Sequence, residues 1–199
     1  LKIFVTGMHL SSAFGNTYKE IIKDGFVVDK KVKILSHSDT PKFVLKSMGL
    51  GIIKFASLFN VDKPDLLVVL GDRYEIMSAT IAAYFNQIPI AHISGGDTTL
   101  GAVDESIRHS ITKMSWLHFV SNATSRKRVI QLGEDPKRIF NVGGLGVDAI
   151  RKAKLLSQKE LIKDTGIKFD KKNLLITYHP VTLEKQSSQK HFQTLLDVL

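Results

Sequence analysis

The sequence contains no cysteine, and long hydrophobic runs are missing as well. Without thiols the chain can form neither disulfides nor thiolate metal sites, and this absence fits a reducing cytoplasm. Uninterrupted apolar segments such as 66–70 are far shorter than the roughly 20 residues that cross a bilayer. The first residues also lack the pattern of a secretory leader. We therefore expect a cytoplasmic protein that has no membrane partner.

Positive charge is in excess, with 28 lysines and arginines against 19 acidic residues and a net charge of +9. A strongly basic domain can indicate a nucleic-acid-binding protein. Here the basic residues are spread along the chain, and no aromatic residues alternate with them to form a platform on which bases could stack. We therefore expect a solvated basic surface and no nucleic-acid partner. Such a surface would attract an anionic substrate.

Short apolar segments alternate with amphipathic segments of helical period along the chain. Continuous apolar strands that alternate with helices are typical of a parallel sheet covered on both faces. The pattern predicts an α/β protein with a Rossmann-like, doubly wound parallel sheet. The expected strands are 2–6, 32–35, 66–70, 88–93, 117–120, 139–142 and 174–178. The expected helices are 17–23, 42–59, 75–85, 104–113, 123–132 and 158–164.

A basic, polar stretch at 164–172 is the expected domain boundary. We expect a first domain at 1–165, followed at 166–199 by a linker and the beginning of a second α/β unit. The chain begins at Leu1 without a methionine and enters a strand at once, and Leu199 falls inside a helical pattern. Both ends therefore predict a fragment of a longer protein.

Polar and glycine-rich segments follow successive predicted strands. Because ligands of doubly wound sheets bind outside the carboxyl ends of the strands, these segments predict a ligand site at one edge of the sheet. The segments are 6–9, 71–75, 92–97, 143–146 and 179–180. The glycines of 143–146 have neither the spacing nor the position of a dinucleotide-binding motif, so we expect no NAD cofactor.

Charged residues are concentrated in two of these segments and in the helix that follows the second. Asp72 and Arg73 can remove a proton or position a phosphate, or they can be a helix cap and a surface charge. Asp104 and Asn122 are candidate helix N-caps. Glu105 and Arg108 are three residues apart and share a helix face. Acids at a helix start can simply complement the helix dipole, but several near a glycine-rich turn favour a functional site, and Asp97 belongs to this group.

The histidines divide into two groups. His9 and His179 end predicted strands, where a histidine can be an acid, a base, a phosphate ligand or a structural residue. His92 and His118 lie within strands, and we expect both to be buried and structural, together with His109. No spacing of histidines and carboxylates matches a metal-binding motif, so we expect no metal.

Five motifs resemble the UDP-N-acetylglucosamine 2-epimerases, above all the hydrolysing branch that serves sialic and legionaminic acid synthesis. They are GDRYE at 71–75, HISGGD at 92–97, DESIRHSITK at 104–113, FNVGGLG at 140–146 and YHPVTLE at 178–184. The resemblance covers essentially the whole chain, with the motifs in the family's order. One departure is Ser94, which stands where many relatives carry a carboxylate. Either Asp97 replaces that group or the chemistry of this chain is tuned differently.

The resemblance implies the N-terminal half of a two-domain glycosyltransferase-B fold that binds a UDP-sugar in its cleft, without a cofactor. It implies elimination of UDP to 2-acetamidoglucal, and then addition of water to give N-acetylmannosamine. A related acetamido sugar on UDP or GDP, the non-hydrolysing reaction and an inactive sugar-nucleotide-binding module are the alternatives. The expected assembly is a homodimer or homotetramer.

The resemblance also implies roles for individual residues. The expected catalytic residues are Asp72, Glu105 and His179. The expected substrate-binding residues are His9, Arg73, Asp97, Asp104 and Arg108. It further implies that a strand before Leu1 separates strands 2–6 and 66–70, which then should not pair with each other. Most of the uridine pocket is expected outside the chain.

Overall fold

The computed structural model describes residues 1–36, 38, 40–179 and 188–199, in which strands and helices alternate as predicted up to residue 141. The strands are β1 Phe4–Thr6, β2 Lys30–Val32, β3 Leu67–Leu70, β4 Ile90–Ile93, β5 Leu117–Val120 and β6 Ile139–Asn141. The helices are α1 Tyr18–Lys23, α2 Pro41–Asp62, α3 Tyr74–Phe85, α4 Val103–Met114, α5 Ala123–Gln131, α6 Leu145–Lys152, α7 Gln158–Thr165 and α8 Ser188–Val198.

All strand pairs in the described residues are parallel, and the strands form two sheets. β1 pairs with β2, and the second sheet has the order β3-β4-β5-β6. β1 and β3 do not pair with each other in this part of the chain, which confirms that prediction. A cavity of about 660 Å³ is lined by residues of both strands, among them Phe4 and Val68. The facing edges of β1 and β3 are therefore open.

The close packing of α2 on α3 fixes the position of the segment after β3. Small side chains on α3 let α2 approach: a Cβ at Gly51 would lie 2.9 Å from Cβ of Ser78. Ser78 Oγ donates to the carbonyl oxygens of Met48 and Tyr74, at 3.1 and 2.9 Å. Phe55 and Phe59 of α2 stack on each other in the core. The first turn of α3 is thereby held at the carboxyl end of β3.

Helix α2 is long and apolar enough to cross a bilayer, at 22 residues and a mean hydropathy of 1.4. Length and composition alone are weak evidence for a span, because the core helix of a soluble protein meets the same test. The sequence predicted this helix over 42–59, but the expectation that no segment crosses a membrane considered only uninterrupted apolar runs. That the protein has no membrane partner stays a prediction.

Three local predictions were wrong. Residues 174–178 form no strand, because nothing in the described part of the chain pairs with them, and Leu175 is 98% exposed. Helix α6 was not predicted, since glycines at its start indicated a turn. The N-cap of α4 is Ala102, so Asp104 lies inside the first turn and not at the cap. Asn122 does cap α5, accepting from the Ser125 amide at 2.9 Å.

Candidate active site

The parallel register of the four-stranded sheet brings three chain segments together at one edge. Leu70 of β3 is paired with Ile93 of β4, which in turn is paired with Phe119 of β5. The segments that leave these strands, 71–73, 94–102 and 121–122, therefore begin side by side. They contain three of the eight residues that the sequence predicts for the ligand site, namely Asp72, Arg73 and Asp97. We call residues 94–102 the β4–α4 loop.

Arg108 of α4 joins the first two of these segments, and its side chain is only 7% exposed. Its Nη2 donates to Oδ2 of Asp72 and, at 2.9 Å, to Oγ1 of Thr99. Its Nη1 donates to the carbonyl oxygen of Asp97 at 2.7 Å and lies 3.7 Å from Oε2 of Glu105. One buried guanidinium thus pairs with two partly exposed carboxylates, which supplies the opposite charge that a buried arginine needs.

Glu105 is held in its charged form by its neighbours. The backbone N–H of Thr99 donates to Oε2, and Nε2 of His109 lies 3.4 Å from Oε1. The Thr99 hydrogen bond, followed by the contacts with His109 and Arg108, lowers the pKa of Glu105 despite its partial burial. A carboxylate that is charged at neutral pH can accept a proton. We call Arg108 and the residues bound to it, Asp72, Asp97, Thr99 and Glu105, the cluster. His109, which we expected to be structural, lies at its edge.

Asp97 uses its backbone and its side chain for different elements. Its carbonyl oxygen binds Arg108, while Oδ1 accepts from Oγ of Ser121 at 2.8 Å and from Oγ of Ser125. Both serines belong to the segment that begins α5. The carboxylate of Asp97 therefore attaches the β4–α4 loop to α5.

His92 of β4 connects the residue after β3 to α4, and it is fully buried as predicted. Its Nε2 donates to the carbonyl oxygen of Gly71 at 2.8 Å, so Nδ1 is the acceptor that faces Oγ1 of Thr112 at 3.1 Å. Burial lowers the pKa of His92 to about 4. The ring is thus neutral and holds the residue before Asp72.

His118 is also fully buried, as the sequence predicted. Its Nε2 lies 3.2 Å from Oε2 of Glu134.

A polar cavity of about 550 Å³ opens between the β4–α4 loop and the start of α5. Its lining combines hydroxyl, amide and guanidinium groups with the carboxylate of Asp97. The lining residues are Asp97, Thr98, Thr99, Arg108, Ser121, Asn122, Thr124, Ser125 and Arg128. A cavity with so many hydrogen-bonding groups is suited to a polar ligand such as a sugar.

In the described part of the chain, four predicted site residues make no hydrogen bond or ion pair with the residues around Arg108. Arg73 is exposed, and its Nε lies 3.6 Å from Oε2 of the buried Glu75. It lines a second cavity of about 520 Å³ beside the segment after β1. His9 is exposed and its Nδ1 lies 2.7 Å from Oγ1 of Thr17. Asp104 is half-buried. His179 is exposed, and the rest of its motif, 180–184, lies outside the described residues. A single site that contains all the predicted residues stays a prediction.

Several residues that build the site were not predicted from the sequence. Thr99 contributes its hydroxyl and its N–H, while Ser121, Ser125 and Arg128 attach the loop to α5. The rule that identified the segments after β3 and β4 applies to the segment after β5 as well. Its run of serine, asparagine and threonine at 121–125 was the available indication.

The family model for UDP-N-acetylglucosamine 2-epimerase matches residues 1–199. The chain belongs to this epimerase family. One relative, the GDP/UDP-N,N'-diacetylbacillosamine 2-epimerase (hydrolyzing) of Campylobacter jejuni, is 48% identical over 100% of this chain and 52% of its own length. The UDP-N,N'-diacetylbacillosamine 2-epimerase (hydrolyzing) of Legionella pneumophila is 37% identical over 98% of this chain and 52% of its own length. The chain spans about half the length of these curated relatives.

The fold of this epimerase chain also has close counterparts among solved structures. The UDP-GlcNAc 2-epimerase of Neisseria meningitidis, solved bound to UDP-GlcNAc, matches with a TM-score of 0.67 over 83% of this chain and 42% of that structure, at 20% identity. The α/β architecture is therefore that of the glycosyltransferase-B type fold, as predicted.

Proposed function

We propose that this epimerase chain provides the acid–base residues of a hydrolysing 2-epimerase that acts on a nucleotide-linked 2-acetamido sugar. The observation that carries the proposal is the arrangement of Asp72 and Glu105 around the single guanidinium of Arg108. Inversion at C2 removes a proton from one face of the sugar ring and returns a proton to the other. The reaction therefore needs two proton-transfer groups, and two carboxylates can supply them.

In the first half-reaction one carboxylate takes the C2 proton, and the electron pair of the C2–H bond forms the C1=C2 double bond. The C1–O bond to the nucleoside diphosphate breaks, and its electrons leave with the diphosphate. The products are 2-acetamidoglucal and the free nucleotide. In the second half-reaction the other carboxyl group takes up a proton from solvent and delivers it to the opposite face of C2. The water molecule that adds its hydroxyl group at C1 returns its remaining proton to that carboxylate, so the protons balance. The free sugar then has the inverted configuration.

The departing diphosphate needs cations, because negative charge develops on its oxygen as the bond breaks. Arg108 is occupied by Asp72 and by the β4–α4 loop, so we assign it to holding the carboxylates. Arg73 is half exposed at the same end of the chain's parallel strands, next to the buried Glu75. We assign Arg73, with His9 and Asp104, to substrate binding, and His179 to the cleft, as the family resemblance implies.

For the substrate we place nucleotide-linked N,N'-diacetylbacillosamine first, because the names of the 48% and 37% identical relatives specify it. UDP-N-acetylglucosamine, which we expected from the sequence, is the second candidate and is favoured by the description of the family. Both sugars carry the 2-acetamido group and the C2 proton that the mechanism requires.

The test gives each of the three nucleotide sugars to a protein of the relatives' full length that contains this chain: UDP-N-acetylglucosamine and the UDP- and GDP-linked diacetylbacillosamines. The products are identified by NMR. We expect free nucleotide and a free sugar inverted at C2. A nucleotide-linked epimer would show the non-hydrolysing reaction. Saturable binding of all three sugars without turnover would identify a binding module instead.

A further inference from the structure

Thr99 and Asp97 provide the β4–α4 loop's contacts with two charged residues of α4, Arg108 and Glu105. The hydroxyl of Thr99 and the carbonyl oxygen of Asp97 accept from Arg108, and the N–H of Thr99 donates to Glu105. If the loop moved away, Arg108 would keep Asp72 alone among its hydrogen-bond partners. Glu105 would lose the hydrogen bond that does most to lower its pKa.

The loop is attached to α5 at two points. Oδ1 of Asp97 accepts from Ser121 and Ser125, and the carbonyl oxygen of Gly96 accepts from Nη1 of Arg128. The attachment is tight, because a Cβ at Gly96 would lie 2.4 Å from the carbonyl oxygen of Ser125. Ser125 itself is only 2% exposed, so it is a fixed point.

We propose that Asp97 is a positioning residue whose carboxylate holds the β4–α4 loop on α5 and thereby sets the geometry of Arg108 and Glu105. This role differs from the substrate contact that we expected from the sequence. It rests on the proposed function for its effect on turnover, but its effect on the loop is independent of any activity.

The role requires a hydrogen-bond acceptor at position 97 and no negative charge, because the partners of Oδ1 are two neutral hydroxyl groups. Asparagine keeps such an acceptor, whereas alanine removes it. A residue that transferred a proton or bound a cation would lose its function in both variants. Asp97→Asn and Asp97→Ala therefore separate the two roles.

The first readout is turnover by the full-length protein. We expect Asp97→Ala to lower kcat by about tenfold or more with little change in KM, because misplaced reacting groups slow the chemical step. Asp97→Asn should stay within about threefold of the wild type. The double change Ser121→Ala and Ser125→Ala should reproduce the loss and add little to Asp97→Ala, since all three remove the same hydrogen bonds. Asp164→Ala, in the exposed part of α7, is the control.

The second readout is hydrogen exchange of the Thr99 amide, which the loop position protects and which needs no substrate. We expect exchange at least about tenfold faster in Asp97→Ala than in the wild type or Asp97→Asn. If Asp97→Ala fails to fold, the double serine variant gives the same comparison with the carboxylate retained. Equal losses in Asn and Ala variants, or unchanged Thr99 exchange in Asp97→Ala, would overturn the proposal. An inactive wild type with faster Thr99 exchange in Asp97→Ala would refute the proposed function alone.

Discussion

Asp72 and Arg108 form an ion pair at the carboxyl edge of the four-stranded sheet, although 36 positions separate them in the sequence. Asp72 follows β3 and Arg108 lies on α4, so the pair links two successive β–α units of the fold. The arginine is almost completely buried, while the side chain of Asp72 is 22% exposed. The carboxylate is therefore held in place and remains accessible to a ligand.

Replacing Asp72 by Asn should lower turnover on the order of 10²-fold or more, because an amide cannot accept or return the C2 proton. The variant also leaves Arg108 without its charged partner, so the free energy of unfolding is measured in parallel. Steady-state kinetics of the full-length protein checks the prediction. Asp24→Asn, an exposed aspartate after α1, is the control. Near-normal turnover of Asp72→Asn would remove Asp72 from the mechanism.

The stability of the chain should decrease as the pH falls from about 6.5 towards 4, partly because of His92. Its pKa in the folded chain is about 4, below the ordinary value of 6.5, so in this interval the unfolded chain binds a proton that the folded chain does not. The folded state then loses stability as the pH falls, by about 3 kcal/mol for this residue. Chemical denaturation at several pH values should show that the free energy of unfolding depends less steeply on pH in His92→Gln than in the wild type. His118, whose pKa is lowered by burial, contributes in the same direction. An unchanged slope would contradict this account of His92.

Gly96→Ala should destabilise the fold more than Gly143→Ala. Both glycines have a positive φ, of 81° and 82°, so each substitution imposes a similar backbone strain of about 1 kcal/mol. Only at Gly96 would the new Cβ meet another atom, whereas nothing lies within 4 Å of the corresponding position at Gly143. Overpacking should add about 1–3 kcal/mol to the loss of unfolding free energy. Equal destabilisation by the two variants in denaturant melts would show that the β4–α4 loop does not lie against Ser125.

The 199-residue chain by itself should show no turnover. Among the residues that the structure describes, no strand pairs with the facing edges of β1 and β3, and Leu174 and Leu175 are 80% and 98% exposed. Open strand edges and exposed leucines favour association with other chains over a stable single structure. The measurement is nucleotide release by the purified chain at high enzyme concentration, compared with the full-length protein. Measurable release by the chain would contradict the prediction.

Much of the fold could be predicted because buried parallel strands are continuous apolar runs. β5 was predicted to the residue, and β3, β4 and β6 within two residues at either end. The β2 strand begins two residues and ends three residues before its predicted bounds. The segment 174–178 has the same apolar character as β3, but a strand also needs a partner. Pairing depends on distant parts of the chain, so no local pattern reports it.

Part of the candidate site could be predicted for a similar reason. Asp72 and Asp97 follow strands, and Glu105 shares a helix face with Arg108, so position alone brought them to one edge. The hydrogen bonds of Arg108 to a backbone oxygen and to Thr99 depend on the path of the β4–α4 loop. The backbone φ is positive at Ser94 and at Gly96 along that path. The pattern of residue types does not specify the path.

The position of deuterium in the product tests the central claim most directly. The full-length protein is incubated with its nucleotide-sugar substrate in D₂O, and the free sugar is examined by NMR and mass spectrometry. Removal of the C2 proton by one carboxylate and delivery of a solvent-derived proton by the other predicts one deuterium at C2 of the inverted sugar. A free sugar that has kept its C2 proton and its original configuration would show simple hydrolysis at C1. That result would contradict the role proposed for Asp72 and Glu105.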